Sequence, residues 1–291
     1  MQQKGRLPLP SSFGQRLSDA FEKHGQLCVG IDPHSSLLDD WGLNDDAQGL
    51  DYFANSLVDA CAGNVGILKP QVSFFERHGS EGFAVLERVT HRAHDSGLLV
   101  IADAKRGDIG STMDAYLEAW LSRDSSFYAD SLTVSPFLGL RASTDLVAPY
   151  LEQGRSITVL VATSNPEGES IQRSRNDENE TIAEQIWNDI TQINRLTAAA
   201  GDRFGSIAGV VGATLNFKRF GLKLEQDGVK TPILAPGFGA QGAKLSDVRS
   251  IFGEARYQVI ASVSRSIAEA GKAGLGDVIA RANDELASAV D

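Results

Sequence analysis

The chain has 291 residues, of which 42% are hydrophobic and 22% charged, a composition typical of a globular protein whose length suits one large α/β domain or two small ones. Its 27 basic and 38 acidic residues give a net charge of −11, which argues against partners such as bulk nucleic acid or an anionic membrane. The N-terminus lacks the apolar core of a signal peptide, and no stretch approaches the ~20 apolar residues of a membrane span. We therefore expect a soluble, cytoplasmic protein in which Cys28 and Cys61 are buried free thiols.

Short apolar runs alternate with helical patterns along almost the whole chain. The runs are rich in Val, Ile and Leu, as strands buried on both faces should be. The eight predicted strands are Leu27–Asp32, Gly66–Lys69, Leu98–Asp103, Ala129–Val134, Ile157–Val161, Ile207–Gly212, Thr231–Ala235 and Tyr257–Ser262. An extra helix is predicted before them, at Ser11–Lys23. The alternation favours an α/β fold, a (β/α)8 TIM barrel forming a single domain over residues 1–291, with a doubly wound sheet as the alternative.

The placement of polar residues favours the barrel. Several charged or hydroxyl residues lie at or just past the C-terminal ends of predicted strands, where barrel enzymes keep their chemistry. These are Asp32, Lys69, Asp103, Lys105, Ser164 and Arg265. The segment Asn165–Glu180 does not fit the alternation of strands and helices, because it is too polar to pack in the core and long for a strand-to-helix connection. It is either a solvated loop or a mobile lid at the active-site face.

The strongest local signal is the sequence DAKRGDIGST, residues 103–112. Residues two apart in a strand share a face, so Asp103 and Lys105 should point together into the barrel mouth. Asp108 follows in a turn between two glycines, where the backbone bends easily. An ammonium flanked by carboxylates stays protonated, so the segment predicts a positioned acid. A structural network of salt bridges is the alternative.

The pattern D-x-K-x-x-D-I-x-x-T in this segment resembles the signature of the orotidine 5'-phosphate decarboxylases, and KRGDIGST is similar to the longer bacterial branch of that family. The resemblance extends over nearly the whole chain. Five further motifs follow the strands in the family's order: VGIDPH, GILKPQVSFFE, ATSNPEG, APGFGAQG and ASVSRSI. Each motif alone is weak, but six in the right order are specific.

The resemblance implies a homodimer that converts orotidine 5'-monophosphate (OMP) to UMP and CO2 in pyrimidine biosynthesis, without a metal or cofactor. It implies that Lys105 protonates C6 of the pyrimidine and that Asp103 lies against the substrate carboxylate. It also implies that Asp108, with Thr112 beside it, reaches the active site of the other subunit. The loss of CO2 leaves a carbanion at C6 with no carbonyl positioned to delocalise it, which a nearby ammonium would stabilise and then protonate.

The same resemblance implies the substrate-binding residues. Lys69 and Asp32 would hold the ribose hydroxyls and the charged array. Ser164 would contact the edge of the pyrimidine from the root of the predicted lid. Gln241 and Arg265 would hold the 5'-phosphate, in the loops after strands seven and eight where barrels generally bind phosphate.

Two other functions stay open as alternatives. A keto-sugar phosphate decarboxylase or hexulose phosphate synthase of the same superfamily would need Mg²⁺, held partly by a carboxylate at the end of the second strand, where this chain has Lys69. A catalytically silent nucleotide-binding barrel would keep Gln241 and Arg265 but lose the charged array, which is intact here.

Three histidines are weaker candidates. His34 could touch the substrate because it follows Asp32 by two residues. His91 and His94 have the i, i+3 spacing of metal ligands but no third ligand, so we expect them on a solvated helix face.

Overall fold

The computed structural model of the chain describes residues 11–141 and 144–291, in which eight parallel strands close into a barrel. Each strand pairs with the next along the chain, and β8 pairs with β1. The strands are β1 (Leu27–Ile31), β2 (Ile67–Pro70), β3 (Leu99–Arg106), β4 (Ser131–Val134), β5 (Ser156–Ala162), β6 (Ile207–Val211), β7 (Ile233–Ala235) and β8 (Val259–Val263). The predicted (β/α)8 barrel is confirmed, and the doubly wound sheet is wrong because such a sheet would leave two open edges.

Helices alternate with these strands. They are α1 (Phe13–His24), α2 (Ser35–Asp40), α3 (Ala47–Cys61), α4 (Val72–Glu76), α5 (Gly79–Asp95), α6 (Gly110–Leu121), α7 (Thr144–Glu152), α8 (Pro166–Gln172), α9 (Ile182–Thr197), α10 (Val248–Phe252), α11 (Arg265–Ala268) and α12 (Gly271–Val290). Local signals fix their ends; for example, Thr181 and Glu184 form a capping box at the start of α9. In the described residues, no helix is both long enough and apolar enough to cross a membrane.

Helix α1 covers the N-terminal end of the barrel, as the extra helix predicted before the first strand. Its residues Phe13, Leu17 and Phe21 are four apart, so they share one face, and all three are buried. They pack with Phe204, which precedes β6, and with one set of alternate strand residues, namely Cys28, Ile67, Ile101, Val210, Leu234 and Ile260. The other set of strand residues packs instead in the larger cluster beneath the outer helices.

A buried carboxylate, Asp130, fastens α1 to the barrel. It lies directly before β4 and accepts hydrogen bonds from Arg16 (2.6 Å), Arg155 (2.8 Å) and the backbone N–H of Val100 (2.7 Å), and His94 lies 3.0 Å away. Burial favours the neutral acid, but His94 and Arg16 hold the pKa of Asp130 below its ordinary value. The predicted solvated position of His94 is therefore wrong, because this ring turns inward to a carboxylate that the sequence pattern does not reveal.

Candidate active site

A cavity of about 300 Å³ opens at the C-terminal ends of the strands. This is the end of a barrel at which loops can vary without disturbing the core. Seven of the nine predicted site residues line it: Asp32, Lys69, Asp103, Lys105, Ser164, Gln241 and Arg265. Asp108 and Thr112 do not line it.

Charged side chains of three strands meet at the floor of this cavity. The Nζ of Lys69 lies 3.0 Å from Oδ2 of Asp103 and 3.9 Å from Oδ1 of Asp32. The Nζ of Lys105 lies 2.6 Å from Oδ1 of Asp103. The four residues therefore alternate in charge, from Asp32 through Lys69 and Asp103 to Lys105.

Both buried members of this array are held in their charged forms. Burial disfavours the Lys69 ammonium, but Asp32 and Asp103 outweigh burial and raise the pKa of Lys69 above its ordinary value. Burial likewise opposes ionisation of Asp103, but Lys69 and Lys105 lower the pKa of its carboxyl to about 2. At neutral pH the floor of the cavity therefore carries a carboxylate between two cations.

The backbone of β3 is irregular where it delivers these groups. Ala102 pairs with Leu132 of β4 and Arg106 pairs with Val134, so three residues of β3 lie opposite the single residue Thr133. Lys105 has a φ of 48°, in the left-handed region that side chains rarely adopt. The predicted proximity of Asp103 and Lys105 is confirmed, but the regular strand alternation from which it was predicted is absent.

Two residues that the sequence analysis missed support Lys105. The backbone N–H of Lys105 donates to Oγ1 of Thr133 (2.8 Å), and that hydroxyl donates to Oδ1 of Asp103 (3.0 Å). The Oε1 of Gln71 lies 3.5 Å from the Nζ of Lys105. The available signals were a hydroxyl inside the apolar run of β4 and a polar residue two positions after Lys69, and neither singles out a site by itself.

Asp32 lines the cavity and has one carboxylate oxygen without a hydrogen-bond partner in the described residues. Its Oδ2 accepts a hydrogen bond from Ser264 (2.7 Å), a further residue that the sequence analysis missed. Its Oδ1 is buried and has no hydrogen-bond partner among the described residues, since the ammonium of Lys69 is 3.9 Å away. Buried carboxylate oxygens are normally satisfied, so Oδ1 of Asp32 is an exception in this site.

The part of the cavity formed by Gln241 and Arg265 suits an anion. Gly239 has a φ of 73°, and a Cβ on it would lie 2.4 Å from Oγ of Ser266, so only glycine fits this turn. Gln241 follows within the same turn, and Arg265 begins α11 beside it, with exposed side chains that reach the cavity. His34 also lines the cavity, and burial and then Arg265 lower the pKa of its ring.

The segment Asn165–Glu180 contains a helix, so the alternative of a plain solvated loop is wrong for its first half. Pro166 starts α8, where proline is favoured because the first turn needs no backbone donor. No residue of α8 is buried. Its last residue, Gln172, bonds both the N–H (3.0 Å) and the hydroxyl (2.7 Å) of Thr163, which directly precedes Ser164.

Asp108 and Thr112 lie outside the cavity of their own chain, and Asp108 is half-buried. Thr112 is exposed on α6, and Oδ1 of Asp108 accepts a hydrogen bond from the N–H of Ile109 (2.8 Å). Large apolar side chains near them are exposed: Ile109 by 55%, Phe137 by 79% and Leu138 by 52%.

Among the described residues, no group of three or more His, Cys, Asp or Glu side chains is arranged to hold a metal ion. The carboxylates of Asp32 and Asp103 instead flank the ammonium of Lys69.

Comparisons with known proteins agree with one another. The family model described as Orotidine 5'-phosphate decarboxylase / HUMPS family matches residues 25–274. A Salinispora tropica protein named orotidine 5'-phosphate decarboxylase is 45% identical over 261 residues, which are 89% of this chain and 91% of the relative. A Nocardioides sp. protein of the same name is 44% identical and covers 95% of this chain and 99% of its own. A crystal structure from Streptomyces avermitilis, described under the same name, has a TM-score of 0.90 at 42% identity, covering 100% of this chain and 99% of that one.

Proposed function

The chain belongs to the orotidine 5'-phosphate decarboxylase / HUMPS family, and from this premise we propose that it decarboxylates OMP to UMP and CO2. The observation that carries the proposal is the alternating array of Asp32, Lys69, Asp103 and Lys105 at the floor of the cavity. The match between this chain and curated relatives named for this activity spans at least nine tenths of each relative's length. The array supplies the chemistry that such a reaction needs.

Lys105 is the proton donor in this proposal. When the bond between C6 and the carboxyl group breaks, the electron pair stays on C6 and CO2 leaves. The ammonium of Lys105, whose side chain is 46% exposed toward the cavity, stabilises this charge and then transfers a proton to C6. The neutral amine regains a proton from solvent.

Asp103 orients that ammonium. Its carboxyl has a pKa of about 2, so it stays ionised at neutral pH and holds Lys105 at 2.6 Å. Lys69 on its other side keeps this buried negative charge compensated. The substrate carboxylate would lie against Asp103, close to the atom that the proton must reach.

The remaining cavity residues hold the nucleotide. The carboxylate of Asp32 accepts a ribose hydroxyl, with Lys69 beside it, and Ser164 contacts the pyrimidine edge. Gln241 and Arg265 hold the 5'-phosphate, where a guanidinium provides a charge-assisted contact. Phosphate binding far from C6 can serve the chemistry by ordering the site and closing the segment Asn165–Glu180 over it.

The position of Lys69 favours this function over the Mg²⁺-dependent reactions of sugar phosphates. The ammonium of Lys69 stands 3.0 Å from Asp103 and 3.9 Å from Asp32, so the carboxylates that Mg²⁺ would use as ligands already flank a cation. We therefore propose a reaction that uses neither a metal nor a cofactor.

The proposal includes a homodimer in which Asp108 and Thr112 enter the site of the partner. Both residues lie outside the cavity of their own chain, and the exposed apolar residues Ile109, Phe137 and Leu138 lie on the surface near them. Such an apolar patch is expected to be covered by another protein surface.

The test is the ultraviolet change on conversion of OMP to UMP by the purified protein in EDTA. Lys105→Ala should lower kcat by about 10³-fold or more, because it removes both the proton donor and the stabilising charge. Lys223→Ala, at an exposed lysine, is the matched control and should keep full activity. A folded wild-type protein that leaves OMP unchanged would rule the proposal out, and keto-sugar phosphates with Mg²⁺ would then be tried.

A further inference from the structure

We propose that Thr133 is a positioning residue for decarboxylation: its hydroxyl fixes the backbone of Lys105 relative to the carboxylate of Asp103. The inference rests on the function proposed above, because it assigns Thr133 a role through the proton donor of that reaction. Thr133 lies in β4, is 1% exposed and lines the cavity.

The hydrogen bonds of Thr133 have a fixed direction. The N–H of Lys105 can only donate, so the Thr133 oxygen accepts at 2.8 Å. The carboxylate of Asp103 is ionised and can only accept, so the Thr133 hydroxyl donates to it at 3.0 Å. The one hydroxyl proton is therefore committed to Asp103, and the two residues are joined through a single oxygen atom.

This hydroxyl replaces a missing backbone bond. In a regular parallel ladder, the N–H groups of β3 would donate to backbone carbonyls of β4. Here three residues of β3 lie opposite Thr133. The regular ladder of backbone hydrogen bonds is therefore interrupted at Lys105. An N–H that is shielded from water and has no partner is costly, and the side chain of Thr133 provides an acceptor for the partly buried N–H of Lys105.

The same bond holds a strained conformation. Lys105 has a φ of 48°, which persists in a non-glycine residue only where surrounding contacts enforce it. If the backbone of Lys105 relaxed, its Nζ would move relative to Asp103 and to C6 of the substrate. Proton transfer is sensitive to such displacements because the reacting atoms must be held close together.

A second buried hydroxyl in the neighbouring strand provides a matched control. Thr158 of β5 is 0% exposed, and its Oγ1 lies 2.8 Å from Oγ of Ser131, away from Lys105 and Asp103. Replacing threonine by valine at either position keeps the shape and removes one buried hydroxyl. A general effect of losing a buried hydroxyl would therefore appear at both positions, whereas positioning of Lys105 depends on Thr133 alone.

The experiment compares Thr133→Val, Thr133→Ser and Thr158→Val for kcat on OMP and for the Kd of UMP, which lacks the carboxyl group. Thr133→Val should lower kcat by about 10- to 100-fold, the effect of one hydrogen bond to a charged group, while the Kd of UMP stays within about threefold. Thr133→Ser, which keeps the hydroxyl, should recover most of kcat. Thr158→Val should stay within about threefold of the wild type in kcat.

The idea is overturned if Thr133→Val keeps kcat within about threefold of the wild type, or if Thr133→Ser loses as much as Thr133→Val. Should the valine variant not fold, Thr133→Ala against Thr133→Ser makes the same comparison of no hydroxyl with hydroxyl. A wild-type protein inactive on OMP would instead contradict the proposed function, so the two failures are distinguishable.

Discussion

At the scale of single residues, Asp103 is the centre of the charged array. Its carboxylate accepts hydrogen bonds from Lys69 (3.0 Å), Lys105 (2.6 Å) and Thr133 (3.0 Å). Asp103 is only 8% exposed, so its carboxylate loses most of its contact with water. The three donors offset this cost of desolvation. Because the compensation is divided between neighbours, removing any one of them leaves part of a buried charge unpaired.

Lys69→Met tests this dependence. The variant leaves Asp32 and Asp103 facing each other without the ammonium between them, so the free energy of unfolding should fall by about 3–5 kcal/mol at pH 7. The measurement is urea denaturation, with Lys223→Met, at an exposed position, as the control. A loss no greater than that of the control would contradict the account.

The same substitution predicts a pH dependence. In the wild type, the pKa of Asp103 is lowered to about 2, so its ionisation stabilises the fold above its ordinary pKa of 3.8 and ceases to do so as the pH falls toward 2. Without Lys69, the pKa of the Asp103 carboxyl is lowered by less. The difference in unfolding free energy between wild type and variant should therefore be largest at neutral pH and shrink as the pH drops below about 4.

At the scale of elements, the sequence predicts the strands well because a strand buried on both faces must be continuously apolar. The predicted strand Ile207–Gly212 and the observed β6, Ile207–Val211, differ by one residue. Motif positions at strand ends likewise placed seven site residues around one cavity. These signals are local in the chain, so they can be found without coordinates.

Other features depend on contacts between distant parts of the chain. The bulge in β3 is defined by its pairing with β4, and Thr133 becomes important only because it lies opposite that bulge. His94 forms a hydrogen bond with Asp130, 36 residues later in the chain. The helical periodicity around His94 cannot predict this contact. A sequence pattern within one element therefore predicts the position of that element. It does not predict which residues of other elements form hydrogen bonds with its irregular parts.

Helix α8 is the outer element that carries the proposed lid. It buries no residue and is held by side-chain contacts: Gln172 to Thr163, and Glu169 to Arg219 at 2.6 Å. Elements with so few buried contacts open at low free-energy cost. A ligand that closes α8 over the cavity should therefore protect it.

Trypsin measures this protection, because Arg173 and Arg175 are exposed just after α8. At a UMP concentration ten times its Kd, cleavage at these residues should slow by roughly tenfold, provided that cleavage requires the open form. Arg265→Ala, which lacks the proposed phosphate contact, should need far more UMP for the same protection. Equal cleavage with and without saturating UMP would count against a lid.

At the scale of the whole molecule, the N-terminal end of the barrel is packed, whereas the C-terminal end holds the candidate active site. Helix α1 and the Asp130 cluster pack the N-terminal end, and the charged array occupies the C-terminal end. Asp108 and Thr112 belong to neither, since neither residue lines the cavity that holds the charged array. The proposed dimer gives them a function by bringing them to a second cavity.

Mixing two inactive variants tests that arrangement. Lys105→Ala and Asp108→Asn each lack one proposed contribution, so in a mixed dimer both defects fall in one site and the other site is intact. After subunit exchange, activity should return to roughly a quarter of the wild-type value, because random pairing makes half of the dimers mixed and half of their sites complete. No recovery despite proven mixed dimers would place Asp108 in the site of its own chain.

The left-handed backbone at Lys105 has a consequence for how this sequence can evolve. A glycine there would adopt the φ of 48° without steric cost, whereas any longer side chain carries that cost into the folded state. Relief of this backbone strain and compensation of the buried Asp103 carboxylate therefore oppose each other at position 105. A library screened only for thermal resistance should therefore enrich glycine at position 105 only in sequences that have also lost the charge of Asp103, and such barrels no longer release CO2.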